Sequence, residues 1–310
     1  MDEKNMHFAN FNITFGENDS PMLEHFEDII FPAFTSGLIR GKKDVLPYFS
    51  FDDVRIKEIN GEYVLVGNYI KSTEYKVITT VTDGVLVSSP ADVPTAPYSR
   101  FIIFLKNHRM VLVRNETNSP DIRSFQKTVR DILAKYIQQA NADRPKESKL
   151  PIAIVHIVDI PLKDSIEQVL KDVNKINWLK LKFFPLNNDL DPTPLARVMK
   201  NDMQKVGSKT GNLVFNSPSS KEGIKNVIEA TGGTAVATLQ VTDSDGEKRR
   251  IQEGAFSATT KVGYEGNLNA SEDAYLIEQA KKNPAISITS PENLKIYDRM
   301  MSTIKKLIGQ

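Results

Sequence analysis

The sequence predicts an α+β protein: an antiparallel, sheet-rich N-terminal domain with one long helix, followed by a mixed α+β C-terminal domain. Three observations carry this. Residues 53–113 hold only strand signals separated by tight-turn pairs, residues 119–139 hold one amphipathic helical period, and from residue 150 onward strand and helix signals alternate. The 310 residues include 40 Lys+Arg, 39 Asp+Glu, 40% hydrophobic residues and no Cys. The apolar content is enough for a core and argues against disorder. Without Cys there is no disulfide scaffold, thiolate metal site or cysteine nucleophile. The length favours two domains.

Phe8 to Phe15 alternates apolar and polar residues, as a strand does. Gly16-Glu17-Asn18-Asp19 breaks it. Ser20-Pro21 then reads as the cap and first-turn proline of a helix with Met22, Leu23, Phe26, Ile29 and Ile30 on one face, stopped or bent at Pro32. From Asp53 to Val113 the pattern predicts an antiparallel meander of about six strands, with Asn60-Gly61 and Asp83-Gly84 as turns. Ser119-Pro120-Asp121 opens a helix on which Ile122, Phe125, Val129, Ile132, Leu133 and Tyr136 share a face. Asn141 to Lys149 is polar, contains Pro145, and reads as the linker between domains spanning residues 1–145 and 150–310.

In the second half, strands are expected at Leu150 to Ile160, Trp178 to Phe184 and Leu213 to Phe215. Thr234 to Val241 and Lys248 to Phe256 read as a hairpin. Helices are expected at Ser165 to Ile176, from Asp191-Pro192, from Pro218 to the Gly232-Gly233 pair, and from about Ser271 and Pro291. The acidic start at Met1-Asp2-Glu3 does not resemble a signal peptide, and the apolar runs at Phe101 to Leu105 and Met110 to Val113 are too short to span a bilayer. With no Cys, these features lead to the expectation of a cytoplasmic protein with no membrane span.

Signatures of catalysis are sparse. Gly207-Ser208-Lys209-Thr210-Gly211 has the wrong glycine spacing for a phosphate-cradling loop and precedes a strand. No G-x-G-x-x-G and no G-x-S-x-G occurs. His7, His25, His108 and His156 have no metal-ligand spacing. His156 reads as a core residue, His25 as part of a solvated helix face and His108 as a surface residue. Asp189 and Asp191 follow a strand; they suit either helix capping or a Mg²⁺ site in a nuclease or phosphodiesterase. Asp243-Ser244-Asp245-Gly246 resembles half a Ca²⁺ loop but has Gly254 where the twelfth-position Glu belongs, so a hairpin turn is expected. No cofactor is implied.

One charge pattern stands out. Between Arg100 and Lys135 the local balance is +5, in a chain of net charge +1. Arg123, Lys127 and Arg130 share a helix face. Arg100, Lys106 and Arg109 lie in or beside the preceding hairpin. These six residues are the candidate phosphate contacts, with a solvated helix face as the competing reading. Lys248-Arg249-Arg250 and the glycine-containing Arg40-Gly41-Lys42-Lys43 are smaller basic runs.

The stretch Tyr98 to Val113, followed by Ser119-Pro120 and the long helix, resembles a bacterial family of similar length that has no assigned biochemical function. The Phe11-Asn12-Ile13 strand fits the same resemblance. So do Leu179-Lys180-Leu181 with Pro185, Asn187 and Asp189, and the late Asp245-Gly246 hairpin. Members occur near mobile elements and anti-phage defence genes. The resemblance implies a non-catalytic nucleic-acid-binding or sensing component of a defence system, with a partner protein or homo-oligomer as further expectations. The alternatives are a metal-dependent nuclease and a structural subunit of a larger complex.

Overall fold

The protein is α+β. Its computed structural model describes residues 2–187, 194–257, 259–264 and 266–308. The chain begins with β1 (Asp2–Phe15) and the short β2 (Ser20–Pro21), then a 3-10 turn over Met22–His25, a π turn over Phe26–Ile30, and α1 (Phe31–Thr35). The single regular helix expected after Ser20-Pro21 is therefore three short helical pieces. Pro32 stands in the first turn of α1, where its missing N–H costs nothing, so it starts that helix instead of stopping one.

The meander follows as β3 (Ile39–Lys42), β4 (Val45–Ile59), β5 (Glu62–Thr82), β6 (Val85–Thr95), β7 (Tyr98–Phe104) and β8 (Arg109–Arg114). Two of its turns are Asn60-Gly61 and Asp83-Gly84, with φ of 54° and 76° in the first and 53° and 76° in the second. Two consecutive left-handed residues make the tight turn whose twist matches the flanking strands. Next comes α2 (Ile122–Ala140), which Asp121 caps by accepting a 2.8 Å hydrogen bond from the Ser124 amide. The second half contains β9 (Ala153–Asp159), α3 (Lys163–Leu170), β10 (Val173–Phe183), α4 (Pro194–Lys205), β11 (Gly211–Asn216) and α5 (Lys221–Glu229). It closes with β12 (Ala235–Asp243), β13 (Lys248–Gln252), β14 (Thr259–Tyr264), α6 (Asp273–Lys281), α7 (Pro284–Ser287) and α8 (Pro291–Lys306).

Two antiparallel sheets result. The large one has the order β14-β1-β8-β7-β5-β4-β3, with β2 and β9 also on β1 and β6 on β5. Around β1, β8, β7 and the first half of β5 both of its faces are buried. Phe11, Leu65, Phe101, Ile103 and Leu112 pack with Phe125 and Val129 of α2 and Ile304 of α8. Phe8, Val64, Ile102, Phe104 and Val111 pack on the opposite side with Leu276 and Ile277 of α6. Alternate residues of β7 and β8 thus enter different cores, so both strands read as unbroken apolar runs. The small sheet has the order β11-β10-β12-β13. Leu179, Leu181, Leu239 and Ile251 on one face pack against Ile166, Met203, Ile224 and Ile228 of α3, α4 and α5.

The expected domain boundary at residues 141–149 is not observed. Ala9 to Phe15 of β1 pairs with Asp159 to Ala153 of β9, and Asp2 to His7 pairs with Tyr264 to Thr259 of β14. One continuous sheet therefore contains strands from both sides of the polar stretch. That stretch is a surface connection pinned at its ends, where the Asn141 side chain donates to the Leu150 carbonyl at 2.9 Å and accepts from the Leu150 amide at 2.7 Å. The sequence reading missed β14 and placed Arg40-Gly41-Lys42 in a loop, whereas those residues form β3.

Candidate nucleic-acid interface

The six predicted contact residues fall into two groups. Arg100 on β7 is fully buried. Its Nε and Nη2 donate to the two carboxylate oxygens of Asp273 at 2.8 Å each, and Nη1 donates to Asp53 and Asn68 at 2.9 Å. Lys57 adds a 2.7 Å contact to Asp273. Arg109 is 1% exposed and donates to the Gly232 carbonyl at 3.3 Å. Lys106 pairs with Glu62 at 3.0 Å, a carboxylate that also receives Lys281 at 2.7 Å. Burial opposes ionisation of Glu62, but these two ammonium groups hold its pKa below the usual value. Arg100 and Arg109 are thus structural residues and not phosphate contacts. Both lie on strands buried on two faces, where a charge persists only when it is paired. The β7–β8 turn is itself covered, with Asn107 donating to the Ile286 carbonyl and Asn293 to the Lys106 carbonyl.

Arg123, Lys127 and Arg130 are the exposed group, and the helical spacing puts them on one face of α2 as expected. Arg123 donates to Gln252 Oε1 at 2.5 Å, and Arg130 donates to the Val155 carbonyl at 3.1 Å. The first contact joins α2 to β13 of the small sheet, and the second ties it to β9 of the large sheet. Because side chains alternate across a strand, the buried Leu179, Leu181 and Phe183 put Trp178, Lys180 and Lys182 on the open face of the small sheet. Strand register places Gln240 beside Trp178, Thr238 beside Lys180 and Val236 beside Lys182 on β12, with Asn216, Val214 and Asn212 beside them on β11. On β13 the same face carries Lys248, Arg250 and Gln252. No carboxylate occupies any of these positions. The Arg250 guanidinium carbon lies 5.6 Å from the Trp178 ring centroid.

His156 sits between the two surfaces. Its ring stacks on Phe184 with centroids 4.2 Å apart and planes 14° from parallel. Burial, with Arg130 and Lys182 adding repulsion, lowers its pKa to about 4. The imidazole is therefore neutral at pH 7 and hemmed by cations. Asp159, on the same strand, is pushed up to about 6, chiefly by burial.

The remaining candidates divide in the same way. Arg40 is committed to the fold: it donates to Thr128 Oγ1 at 2.8 Å and Ser124 Oγ at 2.9 Å, and lies 3.8 Å over the Phe49 ring. His108 is fully buried rather than on the surface, with a pKa lowered to about 3 by burial and Arg109. Asp189 and Asp191 lie outside the described residues. Among the described residues no three His, Asp or Glu side chains converge as a metal site, and no helix is long and apolar enough to cross a membrane.

Sequence reading missed Trp178, Lys180, Lys182 and Arg250 as a set. Trp178 to Phe184 was recognisable as a strand, but its polar side joins Lys248 and Arg250 only through β12, which pairs with both strands. The alternation Trp178-x-Lys180-x-Lys182 was the available signal. The chain matches no protein-family model, no curated protein and no solved structure.

Proposed function

We propose that the protein binds single-stranded nucleic acid on the open face of the small sheet, with the basic face of α2 extending the path of the phosphates. The observation that carries this reading is the carboxylate-free sheet face on which Trp178 stands among Lys180, Lys182, Lys248 and Arg250. An aromatic ring offers a stacking surface to any unpaired base, and flanking cations neutralise the backbone. Thr238, Gln240, Asn212 and Asn216 supply hydrogen-bonding groups between them. Arg123, Lys127 and Arg130 continue the positive surface around β9. A sensing role in phage defence is the setting that the sequence resemblance suggests for such binding.

Trp178 is the only tryptophan of the chain, so its fluorescence reports directly on this face. Titration with oligo-dT and oligo-U should quench it. If each of the seven cations on the two surfaces neutralises one phosphate, the logarithm of the affinity should fall with the logarithm of salt at a slope near −5 on single strands, about 0.7 per contact. Absence of quenching by either oligonucleotide at low salt would overturn the reading.

A further inference from the structure

We propose that the β5–β6 arm is a self-association element, and that its occupant is the same arm of a second copy, paired edge to edge through β5. The arm projects beyond the body of the large sheet. Ile70↔Tyr98 and Thr73↔Thr95 continue one register, so β6 extends the edge of β5 that β7 occupies. On the other edge β4 ends its pairing at Tyr48↔Ser72. From Thr73 to Thr82, β5 therefore has no strand on that edge among the described residues. The arm is rich in exposed apolar side chains: Tyr75 is 61% exposed, Ile78 71%, Val81 69% and Leu86 69%. A two-stranded ribbon is marginal alone in water, and an unpaired edge with such side chains is a template for another strand.

The two edges of the arm differ. β6 contains Pro90 and Pro94, which have no N–H to give to a further strand. Thr73 to Thr82 of β5 contains no proline and, from Val77 onward, no charge. An antiparallel partner therefore fits β5 and not β6.

A second copy fits that edge by charge as well as by shape. With a two-fold axis at Ile78, residues 74–82 pair with residues 82–74 of the other chain. Glu74 then faces Thr82 and Lys76 faces Thr80, so no like charges oppose each other. Tyr75 faces Val81, an aromatic–β-branched pair, and Ile78 faces itself. Side chains of β5 alternate, so Tyr75, Val77 and Val81 share one face with Thr79, and Val77 of one copy faces Thr79 of the other across the axis; the ladder to β6 shifts register between Val77 and Thr79, on the opposite edge from the proposed partner. The chain carries a net charge of only +1, so two copies scarcely repel. The product is a symmetric four-stranded sheet with only the proline-bearing edges outside.

Sedimentation equilibrium of the full chain across micromolar to submillimolar concentration tests this. A monomer–dimer equilibrium is expected. Ile78→Lys brings two ammonium groups together on the axis and should raise the dimer dissociation constant at least about tenfold. Val85→Lys, on β6, should leave it unchanged. Because the chain has no Cys, Ile78→Cys should form a disulfide-linked dimer under mild oxidation, and Val85→Cys should not. Both positions are exposed, and unchanged circular dichroism checks that the variants fold. A wild-type chain that is monomeric throughout overturns the proposal. So does a dimer indifferent to Ile78→Lys, or an Ile78→Cys variant that does not cross-link. Trp178 quenching by oligonucleotide is independent of every one of these outcomes.

Discussion

The two sheets use basic residues in opposite ways, because the centre of one is covered on both faces and the other on one. In the large sheet, Arg100 is enclosed by two carboxylates and an amide oxygen. In the small sheet, Lys180, Lys182 and Arg250 lie on a face without a carboxylate. The same residue type is a structural tie in one place and an available charge in the other. Local charge density along the chain does not distinguish these cases; the number of covered faces does.

The largest expected effect comes from breaking the buried tie. Arg100→Met removes the guanidinium that bridges the buried Asp273 to Asp53, so that Asp273 keeps only Lys57 and Asp53 only Arg55 as an ion-pair partner among the described residues. Removing one partner of a buried pair costs about 3–5 kcal/mol. Chemical denaturation should show a loss of that order, whereas Lys182→Met on the open face should change stability by under about 0.5 kcal/mol. Similar losses for the two variants would erase the distinction between the sheets.

A pH series sharpens the same contrast. His108 and His156 have folded pKa values of about 3 and about 4 against an ordinary 6.5. Below pH 6.5 the unfolded chain takes up protons that the folded chain refuses, so both residues make stability fall as pH drops from 6.5 toward 4. Asp159 runs the other way. Its folded pKa of about 6 lies above the ordinary 3.8, so its contribution falls as pH rises between those values. Together these three groups contribute a slope near one proton, or about 1.4 kcal/mol per pH unit between 6 and 4, and His7, whose pKa burial also lowers, adds to it in the same direction. His108→Asn suits the left-handed backbone at that position, where φ is 54°. It should flatten the slope, and Asp159→Asn should steepen it. A wild-type stability that rises on acidification through this window would contradict the assignment.

What was legible in the sequence follows the range of the interaction. Asn60-Gly61, Asp83-Gly84 and the helix opening at Ser119-Pro120-Asp121 are set within a few residues, and each appears where expected, with Asp121 as the residue that caps the helix. The partner of Arg100 is Asp273, 173 residues away, and β9 finds β1 across a similar gap. No local pattern contains that information. The polar stretch at residues 141–149 therefore resembled a linker, and the buried arginines resembled a surface patch. The exposed half of the candidate site was readable because helical spacing alone puts Arg123, Lys127 and Arg130 together. The sheet half was not, because its basic residues meet only through strand register.

Trp178→Ala tests the sheet half directly. Loss of one stacked base should weaken single-strand binding by about 1–3 kcal/mol, with little change in the salt slope, since no phosphate contact is removed. Filter binding or anisotropy can read this in the absence of the fluorophore. An unaffected affinity would leave α2 as the binding surface by itself.

The smallest expected effect separates the two halves of that surface. Changing Arg123, Lys127 and Arg130 together to Ala should lower the magnitude of the salt slope by about 2 on single strands, at about 0.7 per lost phosphate contact. Its cost in stability comes from two hydrogen bonds. Lys127 is exposed and makes no hydrogen bond or ion pair among the described residues. Arg123 gives up one exposed hydrogen bond and Arg130 one partly buried hydrogen bond, together worth about 2–3 kcal/mol. Lys180→Ala with Lys182→Ala should lower the slope by a comparable or slightly smaller amount, and should also reduce the Trp178 quenching at saturation, because it loosens the strand beside the ring. The α2 triple variant should leave that saturating signal unchanged. If both sets of substitutions flatten the slope but only the lysine pair alters the fluorescence endpoint, one strand runs across both surfaces with its bases on the sheet. If the α2 variant alone flattens the slope, the strand bypasses the sheet, and Trp178 with its neighbouring cations needs a different explanation.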